Sequence, residues 1–163
     1  AVQKQDKEEE LFRYIEEFDK NVLNFKIIGG DRPQCKNIQG DYRDLNEFGD
    51  GLKHYISIIC SLYACENGYL LLDEIDNGIH YTKLDKLWEL ILNISKEQNI
   101  QIFATTHSKE CIEAYARVAK KLEDKEISFI ELGRDQNNVI KAITMSFDRF
   151  QDELSMDNEV RGW

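Results

Sequence analysis

The sequence predicts an α/β fold, with a parallel sheet core flanked by helices and hairpin-like strands at its C-terminal end. Two short apolar runs carry the core: YLLLD (69–73) and IQIFATT (100–106) read as buried strands, and a segment with helical spacing follows each. Strand, helix, strand, helix is the order that crossover connections impose on a parallel sheet. EISFIEL (126–132) and NVIKAITM (138–145), joined by GRDQNN, supply the hairpin signal.

The remaining elements follow from periodicity. Leu11, Phe12, Ile15, Phe18 and Val22 share one side of an amphipathic helix over residues 3–22, and LNFKII (23–28) reads as a strand. The polar stretch GGDRPQCKNIQGDYRDLNEFGDG (29–51) is rich in Gly and Asp and predicts a loop with room for one short strand. Leu52, Tyr55, Ile56, Ile59, Leu62 and Tyr63 place a helix over 51–66 with a broad apolar face. A helix over Tyr81–Glu97 rests on Leu84, Leu87, Trp88, Ile91 and Ile94, with Trp88 in the core. Another runs from Ser108, its N-cap, to Leu122, and the end is helical over Phe147–Leu154. No internal repeat is present.

Composition bounds the function. A chain of 163 residues is one domain or a large piece of a bigger one, and 42% hydrophobic content with a single proline excludes a disordered linker. The net charge of −10 disfavours a broad nucleic-acid or membrane face, so phosphate binding would need focused chemistry. The longest apolar stretch, YISIICSLYAC (55–65), falls well short of the roughly 20 residues that cross a bilayer, and no membrane partner is expected. Cys35, Cys60, Cys65 and Cys111 form no CxxC pair and have no His at zinc spacing, which predicts reduced thiols in a cytoplasmic protein without a signal peptide. The start at Ala1 without Met predicts a piece of a longer chain or a processed product.

Ligands of open parallel sheets sit beyond the carboxyl ends of the strands. Asp73 and Glu74 end the first strand there; Thr105, Thr106, His107 and Ser108 end the second. A lone pair of acids at a strand end is ordinarily solvated, but two such clusters on one edge suit metal-assisted phosphoryl transfer to water. One carboxylate holds a hydrated Mg²⁺, a second polarises the attacking water, and a histidine reaches the terminal phosphate. Asp73, Glu74 and His107 fill that set. A third cluster, EFGDGLKH (47–54), puts glycines at a helix start, where backbone N–H groups approach an anion closely. Alone, GDG is only a turn.

The order EFGDGLKH, helix, YLLLDEIDNGIH, helix, IQIFATTHS resembles the C-terminal half of an ABC-superfamily ATPase head, a partial P-loop NTPase of the SMC-like and OLD-like AAA family type. The resemblance covers Leu45–Ala116, with weaker likeness in DRFQDELSMDNEVRG (148–162). It implies that Asp73 holds Mg²⁺ as the Walker B aspartate, that Glu74 activates water and that His107 senses the γ-phosphate of ATP. Gly49, Asp50 and Gly51 match the signature loop, which meets the nucleotide of a second head. Asp76, Asn77, Gly78 and His80 match the D-loop along that dimer interface. Gly49 in place of Ser and Ile75 in place of Pro point away from transporters.

The phosphate-cradling GxxxxGK[ST] loop is missing. Its nearest match, GDRPQCKN (30–37), has Cys35 for the second Gly and Asn37 for Ser/Thr, and is a decoy. The expectation is therefore a division into residues 1–44, the end of a helical insertion and its return into the core, and residues 45–163, the C-terminal lobe of the head. The expected partners are the N-terminal Walker A lobe of the same protein, a second head bound with ATP, and a nuclease or DNA-associated protein. A non-catalytic dimerisation or regulatory domain is the alternative function. A nuclease built on Asp73, Glu74 and Asp76 is disfavoured, because the residues after Ala116 hold no further acids behind a buried strand. His54 and Lys53 are expected on the helix surface, and Thr105 and Thr106 in local backbone contacts.

Overall fold

A computed structural model describes residues 7–29 and 32–156. Helix α1 (Glu8–Phe18) buries Leu11, Ile15 and Phe18 on one face and places Glu8, Glu9 and Glu10 in its first turn, where the helix dipole favours them. It is shorter than the predicted span. Asp19 turns extended, its carboxylate accepts the Asn21 N–H at 2.9 Å, and Val22 begins strand β1 (Val22–Ile28) instead of ending the helix. Residues 3–6 of that predicted helix lie outside the described residues.

The polar stretch is more ordered than predicted. Strands β2 (Arg32–Asn37) and β3 (Tyr42–Asp44) complete an antiparallel meander in the order β1-β2-β3. The tight turn between them is built by Asn37, whose Oδ1 accepts the Gln39 and Asp41 N–H groups at 3.0 Å each. Apart from Gly30 and Asp31, which lie outside the described residues, the GDRPQCKN segment is strand β2, with Cys35 buried and paired across to Phe25. An extended strand hydrogen-bonded on both sides cannot curl its N–H groups around a phosphate.

A single 3₁₀ turn (Leu45–Phe48), boxed by Asp44 and Glu47, leads into α2 (Asp50–Ala64). Helix α2 buries Leu52, Tyr55, Ile56, Ile58, Ile59, Leu62 and Tyr63, and the Tyr55 ring stacks on Phe18 of α1 at 4.0 Å. Strand β4 (Tyr69–Leu72) follows, then a 3₁₀ turn (Tyr81–Lys83), α3 (Leu84–Glu97), β5 (Gln101–Ala104) and α4 (Lys109–Lys121). As predicted, β4 and β5 pair in parallel, Leu71 opposite Phe103. Ser108 caps α4, its Oγ accepting the Cys111 N–H at 3.1 Å. Trp88 is buried and its Nε1–H donates to the Cys111 carbonyl at 3.0 Å; burial pushes the Cys111 thiol up to about 11.

The parallel pair is not covered on both faces. Leu70 packs inward, but Tyr69 is 70% exposed, Leu71 76% and Phe103 49%. A continuous apolar run fits a strand buried on both sides, yet the described residues supply a helical layer for only one.

The hairpin β6 (Ser128–Arg134) and β7 (Ile140–Ser146) is antiparallel and runs straight into α5 (Phe147–Ser155). Phe150 of α5 is fully buried, stacked on Phe129 at 4.6 Å and set against Tyr115 at 5.8 Å, with Trp88 beyond it at 4.5 Å from Tyr115. This aromatic file ties the hairpin to α3 and α4. Phe150→Ala is expected to cost about 3–5 kcal/mol in chemical denaturation, the range for emptying a large aromatic site.

Candidate active site

The carboxyl ends of β4 and β5 are stitched together by two threonines. The Thr105 N–H donates to the Leu72 carbonyl at 2.9 Å and its carbonyl accepts the Ile75 N–H at 3.0 Å, which carries the parallel ladder past the end of the strands. The Thr105 hydroxyl donates to Asp73 Oδ1 at 2.5 Å and accepts the Glu74 N–H at 3.0 Å. Thr106 repeats the arrangement one residue later: its hydroxyl donates to Asp76 Oδ1 at 2.5 Å and accepts the Ser108 N–H at 3.0 Å. The two predicted clusters therefore form one edge, with the Asp73 and Asp76 carboxylates and the Glu74 N–H held by threonine hydroxyls.

That edge borders an open cavity of about 340 Å³ lined by Glu74, Asp76, Asn77, His107 and Ser108. Glu74 adopts φ +47, the left-handed region that L side chains seldom occupy. The turn then continues through the Asn77 N–H, bonded to the Glu74 carbonyl at 2.9 Å, and the Ile79 N–H, bonded to the Asp76 carbonyl at 3.0 Å.

The glycine cluster sits against the far side of this turn. Gly49, at φ +88, joins the 3₁₀ turn to α2, and Gly51 in the first turn of α2 meets Gly78 backbone to backbone. A Cβ on Gly51 would stand 2.2 Å from the Gly78 carbonyl oxygen, so no other residue fits without separating the two segments. Asp50 is exposed and paired with Lys53 at 2.5 Å; the Lys53 ammonium beside it holds its carboxyl below the usual carboxylate range. Lys53 is thus engaged with its own helix. His80 serves locally: its Nδ1 faces the Thr82 hydroxyl at 3.0 Å and caps the 3₁₀ turn there.

Of the predicted site residues, Glu74, Asp76, Asn77 and His107 share the cavity, and Asp73 is bound to the same Thr105 clamp. Gly49, Asp50 and Gly51 approach the site through Gly78, while His80 lies past the turn. His54, expected on the helix surface, is placed differently. It is half-buried, and its Nε2 lies 3.1 Å from the Ile75 carbonyl, which ties α2 to the turn. No local signal marks a contact between residues this far apart in the chain.

The profile of the family described as "AAA domain, putative AbiEii toxin, Type IV TA system" matches residues 2–113. The chain belongs to this AAA-domain family. It is similar to a Helicobacter pylori protein named ATP/GTP phosphatase, with 33% identity over 119 residues, covering 70% of this chain and 32% of that protein. It is also 33% identical over 95 residues to an uncharacterized protein of Methanocaldococcus jannaschii, covering 58% of this chain and 82% of the relative. The AAA-domain chain thus spans about a third of the first relative's length.

Solved structures agree on the fold. One is a chain from work on ATP-driven dimerisation and DNA-stimulated activation of SMC ATPases, with a TM-score of 0.60 at 14% identity, covering 95% of this chain and 92% of that one. Another is the Smc head domain with an extended coiled coil, bound to the C-terminal domain of ScpA, from Pyrococcus furiosus; the TM-score is 0.55 at 15% identity, covering 94% and 39%. At these identities the likeness fixes architecture alone. The AAA-domain chain has an SMC-head-like α/β fold, with a parallel pair, antiparallel strands and flanking helices.

Proposed function

We propose that this chain is the C-terminal lobe of a head that hydrolyses ATP to ADP and phosphate, within a longer cytoplasmic protein. The observation that carries the reading is the Thr105 clamp. One hydroxyl fixes the Asp73 carboxylate and the Glu74 backbone together, beside a cavity that Glu74 and His107 share. Glu74 takes the proton of the attacking water, Asp73 stands at the metal position, and His107 reaches the terminal phosphate across the cavity.

The donor set fits magnesium. Thr105 occupies one oxygen of Asp73, and among the described residues no three His, Cys, Asp or Glu side chains converge into a cage. Magnesium needs no cage, since it keeps several waters and takes one or two carboxylates. When bound with ATP it neutralises charge on the phosphates. The four cysteines are free thiols, in keeping with a cytoplasmic location, and among the described residues no helix is long and apolar enough to cross a membrane.

The exposed Tyr69, Leu71 and Phe103 face supports a division of the head between lobes. On this reading residues 45–163 are the C-terminal lobe, residues 1–44 are the return from a helical insertion, and the N-terminal Walker A lobe of the same protein covers the bare sheet face. Gly49–Gly51 and the Asp76–His80 turn would then meet the nucleotide of a second head in an ATP-bound homodimer. The ATP-driven dimerisation and DNA-stimulated activation named for the SMC neighbour extend the proposal to a DNA-associated or nuclease partner.

A charge on the bare face tests the division into lobes. Leu71→Lys is expected to leave the folding of this lobe within about 0.5 kcal/mol, as for other exposed sites. In the full-length protein it should weaken ATP binding in calorimetry by roughly 2 kcal/mol or more, the scale of an interface hot spot. Unchanged ATP binding by that variant would count against a covering lobe.

A further inference from the structure

The left-handed Glu74 backbone is uncommon enough that its restraints matter. Conformations of this kind store strain and persist only where the surroundings over-determine them. Two restraints come from the segment after β5, since the Thr105 hydroxyl takes the Glu74 N–H and the Thr105 carbonyl takes the Ile75 N–H. The third comes from the opposite side. His54 Nε2 lies 3.1 Å from the Ile75 carbonyl, and because a carbonyl oxygen only accepts, this ring nitrogen carries the proton.

Ile75 is 0% exposed, so water cannot replace that donor. A buried carbonyl left without a partner carries the full desolvation cost. His54 lies one turn beyond Gly51, whose backbone abuts Gly78, so α2 grips the turn at both of its ends. Thr105 fixes the peptide that precedes Ile75 and His54 fixes the peptide that follows it.

We propose that His54 is a positioning residue for Glu74: by holding the Ile75 carbonyl, its Nε2–H keeps the left-handed turn in place and aims the Glu74 carboxylate into the cavity shared with His107. The inference rests on the hydrolytic reading of Glu74 given above. His54 touches neither the nucleotide nor the reacting atoms.

The test uses the full-length protein with two substitutions. His54→Leu keeps an apolar side chain of moderate size without the donor, and His54→Gln restores an N–H. Backbone amide hydrogen exchange is followed over residues 74–79, and kcat and KM are measured with Mg-ATP. In His54→Leu, exchange at Asn77 and Ile79 is expected to rise about tenfold, matching the loss of one buried hydrogen bond. Its kcat should fall about tenfold with KM nearly unchanged, the signature of an interaction that matters in the transition state. His54→Gln should recover most of both.

Unaltered exchange in His54→Leu would overturn the proposal whether or not the protein hydrolyses ATP. Raised exchange with an unchanged kcat would overturn it too, as would equal losses in the Leu and Gln variants, which would mark simple helix packing. If exchange rises but the wild type hydrolyses no ATP, the hydrolytic reading fails and the positioning role fails with it.

Discussion

Glu74→Gln in the full-length protein is expected to slow ATP hydrolysis by about 10²–10⁴, the usual cost of removing a general base. The amide is nearly the same shape as the carboxylate, and the backbone that places it is fixed by Thr105 independently of the side chain. The turn geometry should therefore survive. ATP binding should survive with it, because the variant removes only the group that takes the proton from water. A fall in kcat with little change in KM is the expected form, measured as steady-state phosphate release. An equal loss of binding would mean that Glu74 holds the nucleotide instead of activating water.

The second large effect is expected at Gly51. Helix propensity alone predicts that Gly51→Ala stabilises α2, by up to about 1 kcal/mol. The structure predicts the opposite sign, because the new methyl would lie 2.2 Å from the Gly78 carbonyl oxygen and 3.1 Å from its carbon. Both obstacles are backbone atoms of a turn that is itself hydrogen-bonded, so neither can swing aside as a side-chain tip would. Overpacking of this kind costs about 1–3 kcal/mol, read as a lower midpoint in urea unfolding. The damage should also reach hydrolysis, since relief of the clash requires α2 to part from the turn that follows Glu74. Gly49→Ala separates clash from backbone strain in the same unfolding measurement: its Cβ would meet nothing within 4 Å, so its stability cost comes from the φ of +88 and not from overpacking.

Much of this architecture is legible in the residues, and the exceptions share a cause. YLLL, four consecutive apolar residues, and IQIF, apolar but for Gln101, announce themselves because short apolar runs bounded by polar residues have few other uses, and they pair in parallel as predicted. Ser108 before an apolar periodicity is a local cap signal, and its hydroxyl makes that bond. Strand β2 is not legible: RPQCKN offers one buried residue and no alternation, and it is a strand because β1 and β3 flank it. The bare Tyr69–Leu71–Phe103 face is hidden for a related reason, since an apolar run reads the same whether its cover lies in this chain or elsewhere. At the site, residue type and order single out Asp73, Glu74 and His107. The supporting contacts are not legible, because Thr105 and Thr106, expected in local backbone contacts, and the His54 ring find Asp73, Asp76 and the Ile75 carbonyl only when distant segments meet.

The central claim is that the edge built by Asp73, Glu74 and His107 is the hydrolytic part of an ATP-driven head. It is tested most directly by incubating the full-length Glu74→Gln protein with Mg-ATP, isolating the protein, and determining by mass which nucleotide it retains and how many heads each particle contains. The expected result is ATP with its γ-phosphate intact, held in particles of two heads, where the wild type retains ADP or nothing. Retention of ADP by the variant at the wild-type rate, or no nucleotide on either protein alongside no phosphate release by the wild type, would contradict it.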